Sequence, residues 1–563
     1  MSIKTKIISI LKKIEYSLKT NFFIRSLARK TIYRYPHIIH WKKHNLKINI
    51  KHNNNSSKKK ILIAPIVNAD QTLICLHSLL GVSLSLKDCE VNYLICDAVL
   101  PACTNAINFV INEDEFIEHG PKKVCNSCYD CNHTLFNQID KNYLKLSNFL
   151  TKEDFKNAEE LSLSLSKEEI INYTQDNINI GEHCLAGTLR FYGIGDINIK
   201  KNSTKVLRKY FTSALLVKKS FEKILDKNQY DAVVVDHGLY IPQGIITEVS
   251  NNRKVPTKVI WQGYKENSLL ISDTITYHKS LINEKKENWI NYDFNSEKKI
   301  KIMNYLKERN TGLTDWFSFN KNPDMNWEKF KKDNNIEKKL IITLMTNVIW
   351  DAQLKFDQNI FKDQMEWINT TINFFKERKN IYLIIRIHPA EIRGDVPSDQ
   401  RIEDEIKKTF LTIPENIKLI KPENKFSSYK LGTESNAILV YATKLSFELP
   451  CYGKNVVVCG EAFGKNKGFT HDPKSKEEYI KILNNLPFKD DLEDNKIELA
   501  QRYAYHFFFR RSMFLNSLKK IENQYPPFKL RDDFIDHFKN KKDPSLEIAC
   551  NSIINNKPAI LDV

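Results

Sequence analysis

No apolar run in the 563-residue chain approaches the roughly 18 residues that a bilayer-spanning helix needs. A secretory leader is not expected either, because Lys12, Lys13 and Glu15 interrupt the apolar stretch near the N-terminus. The eleven cysteines are an odd number, and in a long chain without such a leader they argue for a reducing compartment rather than a disulfide framework. No internal repeat is evident. No Asp-x-Asp pair stands at a strand end in the C-terminal half, so a two-carboxylate metal anchor is not expected there. Acidic residues are scarce in one place only: residues 1 to 60 hold sixteen Lys/Arg against the single Glu15. The net charge of +18 therefore falls to about +3 over the remaining chain, and the basicity belongs to an arm rather than to the body.

What is present suits an enzyme with sizeable cores, at 42% hydrophobic and 11% aromatic residues. Within the arm, Ile7, Leu11, Ile14, Leu18 and Phe22 recur at helical spacing, while Lys4, Lys12, Lys13 and Lys19 stay largely on other faces. That pattern describes a basic amphipathic helix over part of residues 1–57, either lying on an anionic membrane surface or packed on the body. The polar tract Asn53 to Lys60 is a linker. From residue 58 strands and helices alternate: a strand Lys60 to Val67, a helix Thr72 to Leu86 and a strand Val91 to Cys96 open a doubly wound unit. A further buried strand, Ala232 to Val235, ends in Asp236-His237-Gly238, and Thr257 to Trp261 follows. Residues 58–285 form this first domain and 286–338 a polar connection. Residues 339–487 form a second α/β unit, and 488–563 C-terminal segments that include a helix over Leu492 to Gln524.

Cys125, Cys128 and Cys131 are spaced for a shared metal, with Cys103 upstream and His133, His183 and Cys184 as other candidates for a fourth ligand. A structural zinc pinning a long loop is the metal reading, an iron–sulfur cluster fits the spacing as well, and ordinary reduced thiols are the alternative.

Three segments carry the chemistry. Ile384 to Glu391 contains Arg386, His388 and Pro389 at the end of a strand; Tyr441 to Glu448 contains Thr443, Ser446 and Glu448 at a helix start; Gly460 to Thr470 holds Lys465 and Lys467 in a Gly-bounded loop. In an open parallel sheet the carboxyl ends of the strands form the ligand crevice, so all three gather on one edge. Arg386 offers a fork of donors, the helix start offers hydroxyls and free N–H groups at a positive dipole end, and the lysines suit a clamp on phosphate. Glu448 is placed to accept from sugar hydroxyls. On the first domain, Asp236 and His237 are the leading candidates for a general base, with Asp70 and His183 in reserve.

The run Arg386-Ile387-His388-Pro389, the start Thr443 to Glu448, and Val456-Val457-Val458-Cys459-Gly460 followed by Phe463 and Gly468-Phe469-Thr470 resemble the capsule polysaccharide biosynthesis glycosyltransferases. More loosely, they are similar to the glycerophosphotransferases of wall-polymer assembly. The match covers about Leu340 to Pro473 well and the N-terminal half in outline. The resemblance implies two Rossmann-like domains in GT-B arrangement, the C-terminal one holding a nucleotide donor and the N-terminal one the acceptor.

The expectation is therefore an α/β glycosyltransferase that moves a sugar from a nucleotide-sugar to a surface polysaccharide or lipid-linked glycan. It would work in the cytoplasm, at the inner face of the membrane, and need no cofactor for transfer. Arg386, the lysine loop and the helix start would stabilise the leaving phosphate. A CDP-polyol or glycerophosphate transferase is the alternative enzyme. A zinc-containing nucleic-acid-binding protein is the alternative of another class, disfavoured by the confinement of charge to 60 residues and the lack of basic-aromatic interleaving near the cysteines.

Overall fold

The computed structural model describes residues 38–44, 58–68, 70–315, 318–337, 340–521 and 525–562. The amphipathic helix expected before residue 38 lies outside the described residues. Of the stretch before the linker, Trp41–His44 forms a 3-10 turn whose Trp41 is buried against Phe534, 5.7 Å between ring centroids.

Two sheets organise the chain. The strands of the first are β1 (Lys60–Ala64), β2 (Glu90–Ile95), β3 (Leu144–Lys145), β4 (Ala232–Asp236), β5 (Thr257–Gln262) and β6 (Ser268–Asp273). Those of the second are β7 (Leu340–Met345), β8 (Ile381–Arg386), β9 (Ile417–Ile420), β10 (Ala437–Val440) and β11 (Val456–Val458). The short β12 (Met513–Phe514) joins the first sheet, giving the order β12-β6-β5-β4-β1-β2-β3; the second runs β11-β10-β7-β8-β9. Every pairing in the second sheet is parallel, and in the first only β6 and β12 run antiparallel to their neighbours. These are two Rossmann-like domains in GT-B arrangement.

The apolar runs that mark the strands are continuous because both sheet faces are covered. Along β1, Leu62 and Ala64 enter one core cluster while Ile61 and Ile63 enter the cluster on the opposite face; along β7, Ile342 and Leu344 part in the same way from Ile341 and Met345. In each sheet the strand order reverses direction at one place, between β1 and β4 and between β7 and β10. That reversal splits the flanking loops and leaves a crevice at the carboxyl ends.

Residues 286–338 are more structured than their polar composition suggests, with helices Lys286–Ile290, Ser296–Arg309 and Trp327–Asp333. The helix expected over Leu492 to Gln524 is shorter. It runs Asp494–Tyr505, widens into a π-helical turn at His506–Arg511 and then gives way to β12, which pairs with β6. The chain thereby returns to the first domain, and Ala549, Cys550 and Ile553 of the helix Pro544–Asn555 share a core cluster with Leu76 and Leu80 of the helix Gln71–Leu86. Residues 488–563 thus hold strands as well as helices.

The π-helical turn is fastened by charge. The buried Glu284 carboxylate lies 3.0 Å from His506 Nε2 and 3.5 Å from Arg511 Nε. Burial works against its charge, but Arg511 and His506 outweigh burial and hold Glu284 down at about 2. Burial pushes His506 down as well, so at neutral pH the ion pair is that of Glu284 with Arg511. A carboxylate depressed in the fold lends stability above its unfolded pKa and loses it as pH falls toward the folded one. Glu284→Gln is therefore expected to cost about 3–5 kcal/mol at pH 7 and to flatten the loss of stability between about pH 4.5 and 2, checked by denaturant unfolding across that range.

Candidate functional site

A cavity of about 630 Å³ lies between the carboxyl edges of the two sheets. Its first-domain wall includes Asp70, Asp236, His237, Gln243, Trp261 and His278; its second-domain wall includes Thr346, His388, Thr443, Lys444, Glu448 and Glu461. Asp70 follows β1, Asp236 ends β4, and Thr346 and Thr443 follow β7 and β10, so both strand-order reversals open into it.

Asp236 is the last residue of β4 and is 3% exposed. Its Oδ2 accepts from Gln243 Nε2 at 3.0 Å, and burial raises its pKa to about 7. His237 and Gly238 both take positive φ, 59° and 68°, and turn the chain sharply off the strand. The turn presses the His237 ring edge-on against Trp261, centroids 4.7 Å apart, and leaves Nδ1 buried without a partner among the described residues. Burial, then the neighbouring His278 and Arg190, hold His237 well below its usual pKa, so it is a neutral ring at physiological pH. Asp70 caps the helix Gln71–Leu86, accepting from Thr72 N at 2.7 Å, and burial raises its pKa. His183 is not at the cavity. Its Nδ1 is held by the Leu239 carbonyl at 2.5 Å and its Nε2 lies 3.6 Å from Glu248.

The second-domain wall differs from the expected one. Arg386 lines the cavity, but its fork is engaged from behind: Nη1 donates to Lys421 O at 2.6 Å and Nη2 to Asn424 O at 2.8 Å. It ties the loop after β9 to β8. Arg386→Ala should therefore act first on stability, because it strips two backbone carbonyls of their donor at a cost of about 1–3 kcal/mol each. A lowered melting temperature with donor affinity changed less than fivefold is the expected pair of measurements.

Ser446 is buried and accepts from Gly464 N at 3.0 Å. Lys465 donates to Gln358 O at 2.9 Å and Lys467 to Ile282 O at 2.5 Å. None of these three lines the cavity, so the loop braces the domains instead of clamping a phosphate there. The helix start is also reduced: only Leu445–Glu448 is α-helical before Pro450 turns the chain into a 3-10 segment. Four residues build little dipole, so the anion-binding role passes to side-chain charge.

That charge comes from Lys444, which belongs to the motif at Tyr441 to Glu448, and from Arg309, which the sequence did not single out. Arg309, at the end of the helix Ser296–Arg309, pairs with Asp315 and, through Nη2 at 3.1 Å, with Glu448 Oε1. Tyr429 donates to Glu448 Oε2 at 2.6 Å. Glu448 is thereby the counter-ion of Arg309. Lys444 sits 3.9 Å from the Tyr264 ring centroid, and burial, then Arg309, pull its pKa down to about 8. Thr443 lines the cavity beside it. His388 accepts from Ala390 N at 3.1 Å and is held near 4 by burial, Lys444 and Arg386, so it is neutral.

Several cavity-lining residues keep a buried side-chain oxygen without a donor among the described residues: Gln243 Oε1, Asn359 Oδ1 and Glu461 Oε2. A ligand that satisfies them must donate hydrogen bonds.

The cysteines form a different arrangement from the expected one. Cys125, Cys128 and Cys131 lie on the helix Lys122–Phe136, not in a loop. At about 1.5 Å rise per residue the first and last are separated by about 9 Å along the axis, far beyond what thiolates each about 2.3 Å from one zinc permit. Cys128 Sγ accepts from Asn68 N at 3.1 Å, Cys131 is buried in the core, and Cys103 lies in the core cluster on the other face of the sheet. Among the described residues no group of three or more His, Cys, Asp or Glu is placed to hold a metal ion. Nor is any described helix long and apolar enough to cross a membrane.

No protein-family model and no curated protein matches the chain. Among solved structures it is similar to the Thermosulfurimonas dismutans KpsC beta Kdo 2,4 transferase at 13% identity and TM-score 0.32, covering 55% of this chain and 87% of that one. The S. aureus MnaA–UDP co-structure is similar at 12% and 0.27, covering 80% and 93%. UDP-GlcNAc 2-epimerase from Neisseria meningitidis bound to UDP-GlcNAc is similar at 10% and 0.27, covering 80% and 96%. Likeness of this size says nothing about chemistry, which rests on the cavity itself.

Proposed function

We propose that the chain is a GT-B glycosyltransferase that moves a sugar from a nucleotide-sugar to a hydroxyl of a glycan, of the surface-polysaccharide or lipid-linked kind. One observation carries this reading. A single cavity sets the cations Lys444 and Arg309 of one wall opposite a carboxylate, Asp236, whose pKa is raised to about 7. The unpartnered acceptors of Gln243, Asn359 and Glu461 favour a ligand rich in hydroxyl donors, as sugars are. Trp261, stacked on Tyr277 with centroids 5.9 Å apart, offers a ring for a sugar face.

In this reading the acceptor hydroxyl lies on the first-domain side and Asp236 removes its proton as its oxygen bonds to the donor carbon. A base poised near the working pH is the efficient choice. The donor's bond to phosphate breaks with its electron pair leaving on the phosphate, beside Lys444 and Arg309. Charge that develops in the transition state then meets fixed cations in a site of low dielectric. His237, neutral and edge-on to Trp261, accepts from the acceptor through Nδ1.

The test is a thermal-shift screen against CMP, CDP, UDP and GDP sugars, followed by a transfer assay with the donor that binds. A native-state ligand at 100 times its Kd adds about 2.7 kcal/mol of stability. Absence of any stabilising sugar nucleotide overturns the reading.

A further inference from the structure

His77 is fully buried on the helix Gln71–Leu86 and does not line the cavity. Its Nδ1 lies 3.0 Å from the Leu73 carbonyl, an acceptor that can only be met by an N–H. The proton of the neutral ring is thereby fixed on Nδ1, and Nε2 is left as a lone pair. Burial holds the ring near 3, so it stays neutral at every working pH. Nε2 has no hydrogen-bond partner among the described residues, and Asp236 Oδ1 lies 4.0 Å away from it. The other oxygen, Oδ2, is already engaged by Gln243.

A lone pair facing an ionised carboxylate gains nothing. Facing a protonated one, it accepts a hydrogen bond. We propose that His77 is a positioning residue for the base: once Asp236 has taken the acceptor's proton, the 4.0 Å gap closes to hydrogen-bond distance and His77 Nε2 receives the Oδ1–H. This rests on the transfer reading above for the reaction, not for the geometry. In the step, the acceptor O–H bond breaks, its electron pair forms the new C–O bond, the donor's C–O bond to phosphate breaks onto the phosphate, and the proton ends on Asp236 Oδ1 against His77. The groups that face Asp236 are His77 from the helix Gln71–Leu86 and Asp70 that caps it, the uncharged Gln243 from the helix Gln243–Asn252, and His237 beside it; its partner on β5 is Ile260. Asp70 repels the charged form, while His77 acts by stabilising the neutral form.

The two effects are separable by the Asp236 carboxyl band in infrared difference spectra, identified by its loss in Asp236→Asn. In the wild-type protein the band is expected to titrate near 7. His77→Leu, which keeps the site apolar and removes the acceptor, is expected to lower that midpoint by a unit or more, a tenfold or greater loss of proton affinity. His77→Gln, whose side-chain carbonyl replaces Nε2 as acceptor, is expected to restore most of it. A midpoint that stays or rises in a folded His77→Leu protein overturns the proposal, because burial alone would then account for it. Should that variant not fold, the ¹⁵N resonance of His77 Nε2 in the wild-type protein decides: it is expected to move with the same midpoint as the carboxyl band, and a fixed resonance refutes the contact. The acid limb of kcat/KM should follow the infrared midpoint in each variant. A band that behaves as expected in a protein without transferase activity would sink the transfer reading and leave the His77 contact standing.

Discussion

Asp236→Asn is expected to cut glycosyl transfer by about 10²- to 10⁴-fold while leaving donor binding within a factor of two. The substitution keeps the shape of the side chain and an oxygen for Gln243 Nε2 to meet, so the wall of the cavity stays in place. What it removes is the only oxygen anion at the end of β4. In the wild-type enzyme the rate should rise with pH through about 7, because the base must first lose its proton. Stability should move the other way. A carboxyl group whose folded pKa is raised contributes fully below its unfolded pKa of 3.8 and loses that contribution as pH climbs through the folded value. A permanently neutral Asn escapes this loss, so the variant is expected to melt higher than wild type at pH 8 and at about the same temperature as wild type at pH 4. Transfer that survives in Asp236→Asn but vanishes in His237→Gln would move the base to the neighbouring residue.

The same position shows what the sequence could disclose. A short buried strand followed by Asp-His-Gly is readable as a loop at the ligand edge, since β-branched residues pack a two-sided sheet and Gly238 tolerates the positive φ that the turn needs. The strand-end placement of Arg386, His388 and Thr443 was legible for the same reason. Orientation was not. Arg386 sits where a ligand-binding arginine would sit, yet its donors face Lys421 O and Asn424 O, carbonyls contributed by a loop some 35 residues further on. Lys465 and Lys467 are likewise taken up by Gln358 and Ile282, distant in sequence. A motif fixes which backbone a side chain leaves, but the carbonyls that capture it are chosen by tertiary packing.

Arg309 is the converse case. It lies in a polar stretch with no strand-end signature, and only the folding of the helix Ser296–Arg309 against the C-terminal segment delivers it to Glu448. The helix expected to reach Gln524 failed for a related reason. No Gly or Pro interrupts Leu492 to Gln524, so local propensity alone would continue it, but Met513 and Phe514 complete the edge of the first sheet against β6. Sheet pairing overrides propensity there.

Lys444→Met should weaken binding of the sugar nucleotide by on the order of 100-fold, about 2.7 kcal/mol, without unfolding the protein. The lysine is half-buried, stands next to Arg309 and has its pKa lowered to about 8 by burial first and by that neighbour second. In the unliganded protein its charge is therefore a cost, and Met, of similar length and apolar, removes it; the variant is expected to be at least as stable as wild type near neutral pH. A bound phosphate reverses the balance by giving the ammonium an anion. Linkage then fixes the sign of the pH dependence: donor binding draws a proton onto Lys444, so wild-type affinity should decline by up to tenfold per pH unit above about 8. In Lys444→Met that alkaline decline should be absent, and Lys444→Arg, which stays charged, should bind without it. Isothermal titration of the donor between pH 6.5 and 9.5 measures all three. A wild-type affinity that is flat across this range, or a Met variant that binds as tightly as wild type, would show that the phosphate does not rest on Lys444, and the cationic wall would then reduce to Arg309, already balanced by Glu448 and Asp315.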